Sequence, residues 1–128
     1  MKKVLVVEDS ATARAYYRDT LEGAGFSVRE AANGLEGLEM AMLDRFDLAI
    51  VDINMPKMDG YAMTRELRRN PDLIKLPVVM ITTESGARDE ARAFDCGANY
   101  YIVKPATPED LALTARLLTG MRQTRTSP

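Results

Sequence analysis

The fold class this sequence predicts is an open, doubly wound α/β domain, and three observations carry the prediction. Short apolar runs alternate with helix-length amphipathic segments. Most of the runs are β-branched and continuous rather than alternating, as in parallel strands covered on both faces. The 128 residues accommodate five such strand–helix units around one core, with no internal repeat and no linker.

The first run, Val4–Val7, precedes a helix on which Ala13, Tyr17, Leu21 and Ala24 recur at spacings of four, four and three. Ser10 is placed to cap this helix and Gly25 to end it. The second run, Ser27–Ala31, is weaker. Asn33-Gly34 then opens a helix whose Leu35, Leu38 and Met42 share the expected core face. The third run, Leu48–Val51, leads straight into Asp52 and the loop Met55-Pro56-Lys57-Met58, and Asp59 caps the helix that begins at Gly60. After the fourth run, Val78–Ile81, Ser85 opens a helix with Ala87, Ala91 and Phe94 inward and Gly97 as terminator. After the fifth, Tyr101–Val103, comes Thr107-Pro108-Glu109-Asp110: a cap, a proline at the first helical position, then acids in the first turn. Leu111, Ala115 and Leu118 form that helix's core stripe, while Leu113 and Leu117 make a second stripe suited to a dimer or effector surface. The domain is expected over residues 1–120. Residues 121–128, with Arg122 and Arg125, read as a polar, frayed tail.

Composition removes several functions. A net charge of −2 gives no global electrostatic case for direct nucleic-acid binding. No apolar run approaches a membrane span, and the N-terminus is too short and too acidic for a signal peptide, so a cytoplasmic location is expected. Histidine is absent, which excludes histidine-based triads, histidine-ligated zinc and histidine autokinase chemistry in this chain. Any phosphohistidine must belong to a partner. Cys96, the single cysteine, reads as a small buried residue at a helix end.

The polar residues that look out of place all fall where strands end: Glu8 and Asp9, Asp52, Thr82 and Lys104. Open α/β sheets bind ligands at the carboxyl ends of strands, where the strand order reverses. Two orders are common. In the order 2-1-3-4-5, Glu8 and Asp9 face Asp52, with Thr82 on the next strand and Lys104 on the one after. Three carboxylates and one ammonium leave two negative charges, which a divalent cation cancels. Oxygen-only ligands favour magnesium or a similar hard ion. An aspartate beside a cation, an ammonium and a hydroxyl is equipped for phosphoryl transfer.

With these residues in view, the chain resembles the receiver domains of two-component response regulators, from VLVVEDS through AANGLEGL, DLAIVDINMPKMDG and PVVMITTES to GANYYIVKP. The resemblance implies a flavodoxin-like (βα)5 fold with strand order 2-1-3-4-5. It implies Asp52 as phosphoacceptor, Asp9 as a direct Mg2+ ligand, Glu8 as a ligand mainly through water, and the Asn54 backbone carbonyl as a further ligand. Lys104 would contact the phosphoryl group, Thr82 would be the switch hydroxyl and Tyr101 the switch aromatic. A cis Lys104-Pro105 bond is also implied. The implied partners are a histidine kinase or histidine phosphotransfer protein, docking beside the first helix where Tyr16 is a candidate contact, and a downstream effector. The effector would meet the fourth helix, fifth strand and fifth helix of a monomer or phosphorylation-dependent dimer.

Two positions depart from the pattern and two others match one branch of it. Thr83 stands where a smaller residue is common, which narrows access. Ala106 stands where an aromatic is frequent, which loosens the start of the fifth helix. Asn54 and Glu84 match the pairing of chemotaxis-type receivers. The expectation is a stand-alone receiver, a phosphorylation switch and not an enzyme beyond its own phosphorylation and dephosphorylation. A phosphorelay intermediate is one alternative, and a phosphorylation-independent interaction module on the same fold is another. A phosphatase of the haloacid-dehalogenase type also uses an aspartyl phosphate, but it places a second aspartate where this chain has Asn54.

Overall fold

The central strands bury every residue from Val4 to Val7, Leu48 to Asp52 and Val78 to Thr82, and alternate side chains go to opposite faces. Leu5, Val7, Ala49, Val51, Val78 and Met80 belong to one apolar cluster, and Val4, Val6, Leu48, Ile50, Val79 and Ile81 to the other. The computed structural model describes residues 1–83 and 86–121. In chain order the elements are β1 (Lys3–Val7), α1 (Ala11–Gly23), β2 (Ser27–Ala31), α2 (Gly34–Leu43), β3 (Leu48–Asp52), α3 (Gly60–Arg69), β4 (Val78–Thr82), α4 (Ala87–Cys96), β5 (Tyr100–Val103) and α5 (Pro108–Thr119). The five strands are parallel in the order β2-β1-β3-β4-β5. This is the flavodoxin-like arrangement expected from the sequence. Each strand lies within one residue of its predicted run.

Residues of α1 and α5 join the second cluster, and residues of α2, α3 and α4 join the first. Chain progression reverses between β1 and β3, so the connections leaving these neighbours go to opposite faces and open a crevice at their carboxyl ends.

Most predicted caps are in place. The side chains of Ser10, Asn33, Asp59 and Thr107 accept the backbone N–H groups of Ala13, Glu36, Ala62 and Asp110. At the end of α1 the N–H of Gly25 donates to Glu22 and that of Phe26 to Leu21. This reciprocal closure needs a left-handed residue, and Gly25 supplies it at φ 98°. Gly97 does the same for α4 at φ 110°.

Two helix faces differ from the sequence reading. On α2 the buried positions are Gly34, Gly37 and Ala41, while Leu35 and Met42 are exposed and Leu38 is half-buried. Packing is so close that a Cβ on Gly37 would come within 2.8 Å of Val7 Cγ2 and 3.0 Å of Met63 Cε. Glycine marks the contact here, and large side chains take the periphery. On α4 the period is right and the phase is wrong: Ala93 and Cys96 are buried, whereas Ala87, Ala91 and Phe94 are exposed. Small residues allow this helix to approach its neighbours. The proposed Ser85 cap lies outside the described residues, as do Glu84, Arg122 and Arg125. Gly86 occupies the N-cap position without a side-chain hydrogen bond.

The opposite end of the sheet is fastened by Arg68. Its guanidinium donates to the carbonyl oxygens of Leu76, Gly97, Leu73 and Ile74 and to Asn99 Oδ1. The end of α3, the loop before β4 and the end of α4 are thereby joined.

Thr64 on α3 is fully buried and its hydroxyl has no hydrogen-bond partner. An unsatisfied buried hydroxyl costs about 1–3 kcal/mol. Thr64→Val keeps the shape and removes that group, so it is expected to raise unfolding stability by about 1 kcal/mol in urea titrations. An unchanged or lowered midpoint would contradict this accounting.

Candidate functional site

Strand register assembles the site. Val7 lies opposite Val51, which sets Glu8 and Asp52 at the next level of the same edge. Asp52 pairs with Ile81, and Thr82 with Val103 just before Lys104. Four strand ends therefore deliver Glu8, Asp52, Thr82 and Lys104 to one crevice, with Asp9 at its rim.

Their surroundings differ. Glu8 is 1% exposed, with one carboxylate oxygen accepting from Lys104 Nζ at 2.9 Å and the other from the Ser10 N–H at 3.0 Å. Lys104 Nζ also lies 3.5 Å from Asp52 Oδ1. Asp52 is 6% exposed, Thr82 is fully buried and Asp9 is exposed. Asn54 is exposed in the loop after β3. Tyr101 is not at the carboxylates. It is buried in the apolar cluster on the α3–α4 side, opposite Met80. The Lys104-Pro105 bond is cis.

Carboxylate oxygens of Glu8, Asp9 and Asp52 lie within 4.8 Å of one another. These hard donors fit a hard divalent cation. Both Glu8 oxygens are already engaged by Lys104 and Ser10, which leaves Asp9 and Asp52 as the carboxylates that could contact it directly.

Burial and the nearby Glu8 carboxylate push the Asp52 carboxyl from 3.8 to about 6, against the pull of Lys104. For Lys104, burial works against the proton. The Glu8 hydrogen bond and the charges of Tyr17, Asp52 and Glu8 outweigh it, so the ammonium is held above its ordinary value. The site thus holds a firmly protonated lysine beside a carboxylate that ionises reluctantly.

Two contributors went unread in the sequence. Arg14 Nη1 donates to the Glu8 carbonyl at 2.7 Å, and Arg14 Nε meets Glu30 at 3.3 Å. Tyr17, read there as core, also feels the charges of Lys104, Glu8 and Asp52. The position of Arg14, four residues after the Ser10 cap, was the available signal for the first. Tyr17 gave none, because its ring satisfies the apolar period.

Comparison with known proteins agrees with this geometry. The sequence profile of the response regulator receiver domain matches residues 4–116. The chain is 40% identical over 115 residues to the sensor histidine kinase CheAY of Helicobacter pylori, covering 88% of this chain and 14% of that one. It spans about half or less of the length of the curated relatives it matches. The chemotaxis protein CheY4 of Vibrio cholerae superposes with a TM-score of 0.88 at 37% identity, covering 92% of this chain and 98% of that one. The receiver domain of the sensor histidine kinase PA1611 of Pseudomonas aeruginosa superposes at 0.87 with 26% identity, covering 93% and 98%, and carries a magnesium ion in its active-site cleft.

The Asp52 environment has a consequence for stability. Between pH 3.8 and about 6 the folded state keeps a proton that the unfolded chain has lost. Stability therefore falls as pH rises through this window and stays low above it, by at most about 3 kcal/mol. In chelator at pH 7.5, Asp52→Asn is expected to stabilise the protein by about 1–3 kcal/mol, the gain vanishing near pH 4. Urea unfolding across pH checks this. A pH-independent difference would contradict it.

Proposed function

The chain belongs to the response regulator receiver domain family of two-component systems, and from that premise we propose that it works as a phosphorylation switch centred on Asp52. The carrying observation is the convergence of the Glu8, Asp9 and Asp52 carboxylates beside the Lys104 ammonium on one sheet edge. The donor is a partner's phosphohistidine, on a histidine kinase or histidine phosphotransfer protein. An Asp52 oxygen forms a bond to phosphorus as the phosphorus–nitrogen bond breaks, and the imidazole keeps the electron pair. With its pKa near 6, Asp52 is mostly ionised at neutral pH and competent as the nucleophile. Lys104, 3.5 Å away, meets the charge carried by the phosphoryl oxygens. Asp9, Asp52 and the Asn54 carbonyl would hold Mg2+, with Glu8 joining through water. Charge neutralisation at the phosphoryl oxygens is the chemistry that ion supplies when bound.

Phosphorylation replaces about one negative charge on Asp52 with about two and adds strong acceptors. Thr82, on the adjacent strand, donates its hydroxyl to one of them. Tyr101 is 9% exposed, so its ring already occupies the inward position that this contact would hold. A charge-assisted hydrogen bond of about 1.5–3 kcal/mol cannot by itself drive a two-state element from 1:99 to 99:1, which takes about 5.5. Binding of an effector to β5 and α5, where Tyr100, Val103, Leu113 and Leu117 are exposed, adds to the hold on the ring that is already inward. No described helix is long and apolar enough to cross a membrane, and the proposed setting is the cytoplasm.

Incubation with acetyl phosphate and Mg2+ is expected to add one phosphoryl group by intact mass. Modification that persists in Asp52→Ala, or proceeds fully in chelator, would sink the reading. Thr82→Ala is expected to remain phosphorylatable while its Tyr101 ring signals in NMR no longer respond to a phosphoryl mimic. An equal response in both proteins would disprove the Thr82–Tyr101 coupling.

A further inference from the structure

Beside the carboxylate crevice lies a cavity of about 430 Å³ between α1 and the turn that follows β5. Ala13, Tyr16 and Tyr17 line one side, Ala106 the other, and Thr83 and Lys104 also border it. Lys104 is common to both spaces, since its Nζ contacts Glu8 and lies 3.5 Å from Asp52. A phosphodonor positioned over Asp52 therefore has this cavity beside it, within reach of its leaving group.

The walls are apolar and held in place. Tyr16 Oη donates to the Ala106 carbonyl at 2.7 Å, tying α1 to the turn. The Tyr16 and Tyr17 rings pack with centroids 5.6 Å apart. Ala106 is buried and small, so the space between the tyrosines and the turn is not filled by a side chain. Tyr17 is 4% exposed and its hydroxyl makes no hydrogen bond among the described residues. Burial pushes this phenol up to about 12, so it keeps its proton and offers a donor. A cavity with flat apolar walls and one unused donor suits an aromatic ring carrying a carbonyl oxygen.

We propose that this cavity is a leaving-group pocket that makes aromatic acyl phosphates preferred small-molecule phosphodonors over alkyl ones. The proposal rests on the reading of Asp52 as phosphoacceptor. In the step it serves, an Asp52 oxygen bonds to phosphorus while the bond from phosphorus to the acyl oxygen breaks. That oxygen keeps the electron pair and departs as the carboxylate, and no redox change occurs. The aromatic ring stays in the cavity, and Tyr17 donates to the acyl carbonyl.

The test compares benzoyl phosphate with acetyl phosphate as probes, both with Mg2+, reading phosphorylated protein by intact mass. The quantity is the ratio of the two second-order rates in wild type, Ala106→Phe and Ala13→Leu. The variants narrow the cavity from opposite walls, so each stands if the other fails to fold. The ratio is expected to fall by about tenfold in each variant, the scale on which apolar pockets discriminate small changes of shape. A ratio unchanged from wild type overturns the pocket, including the case in which a variant slows both donors equally. If neither donor labels Asp52 in wild type, the phosphoacceptor reading falls and this proposal with it.

Discussion

One ammonium among three carboxylates sets the terms for the rest of the molecule. Lys104 reaches Glu8 at 2.9 Å and Asp52 at 3.5 Å, and it cannot fully satisfy either. Glu8 is drawn further into the fold by the Ser10 N–H, which also fixes the start of α1. Asp52 has only the more distant contact, and burial with the Glu8 charge pushes its carboxyl up to about 6. Such an arrangement is costly without a cation, and the cost is met by a sheet whose central strands are apolar up to the residues that form the site. The rigidity of the strands lets the edge hold an unfavourable charge cluster without collapsing or letting it splay.

Much of this is legible in the sequence. Continuous β-branched runs identified buried parallel strands, and the caps at Ser10, Asn33, Asp59 and Thr107 followed from side-chain chemistry that acts over three residues. The site residues stood out because carboxylates and a lysine directly after buried strands require an explanation. Helix phase was less legible. On α2 and α4 the buried residues are Gly34, Gly37, Ala41, Ala93 and Cys96, and a hydrophobic pattern weighted by size points to the wrong face. Closeness of approach is a property of two surfaces, and a single sequence window contains only one of them. Tyr17 was hidden for a related reason: a tyrosine satisfies an apolar stripe with its ring while its hydroxyl belongs to a different neighbourhood.

The two ends of the sheet are built on opposite principles. At the carboxyl end, like charges are gathered and incompletely paired. At the other end, Arg68 satisfies five acceptors from two segments with one guanidinium. A rearrangement begun among the carboxylates therefore meets firm resistance at the far end and much less near the site.

That asymmetry gives α4 the mechanics of a lever. Its last turn is pinned, with Arg68 holding the Gly97 carbonyl and Gly97 closing the helix. Along its length it buries only Ala93 and Cys96, and Arg92 stacks on the Tyr61 ring at 4.1 Å, a contact that tolerates sliding. Its first turn has no side-chain cap at Gly86. Ten residues span about 15 Å, so a tilt of about 10° about the pinned end carries the free end by roughly 2.6 Å. The free end is the one nearest Thr82. An adjustment at the sheet edge beside this end would reach a docking partner as a tilt of the whole helix, with the fulcrum supplied by an arginine at the other end of the molecule.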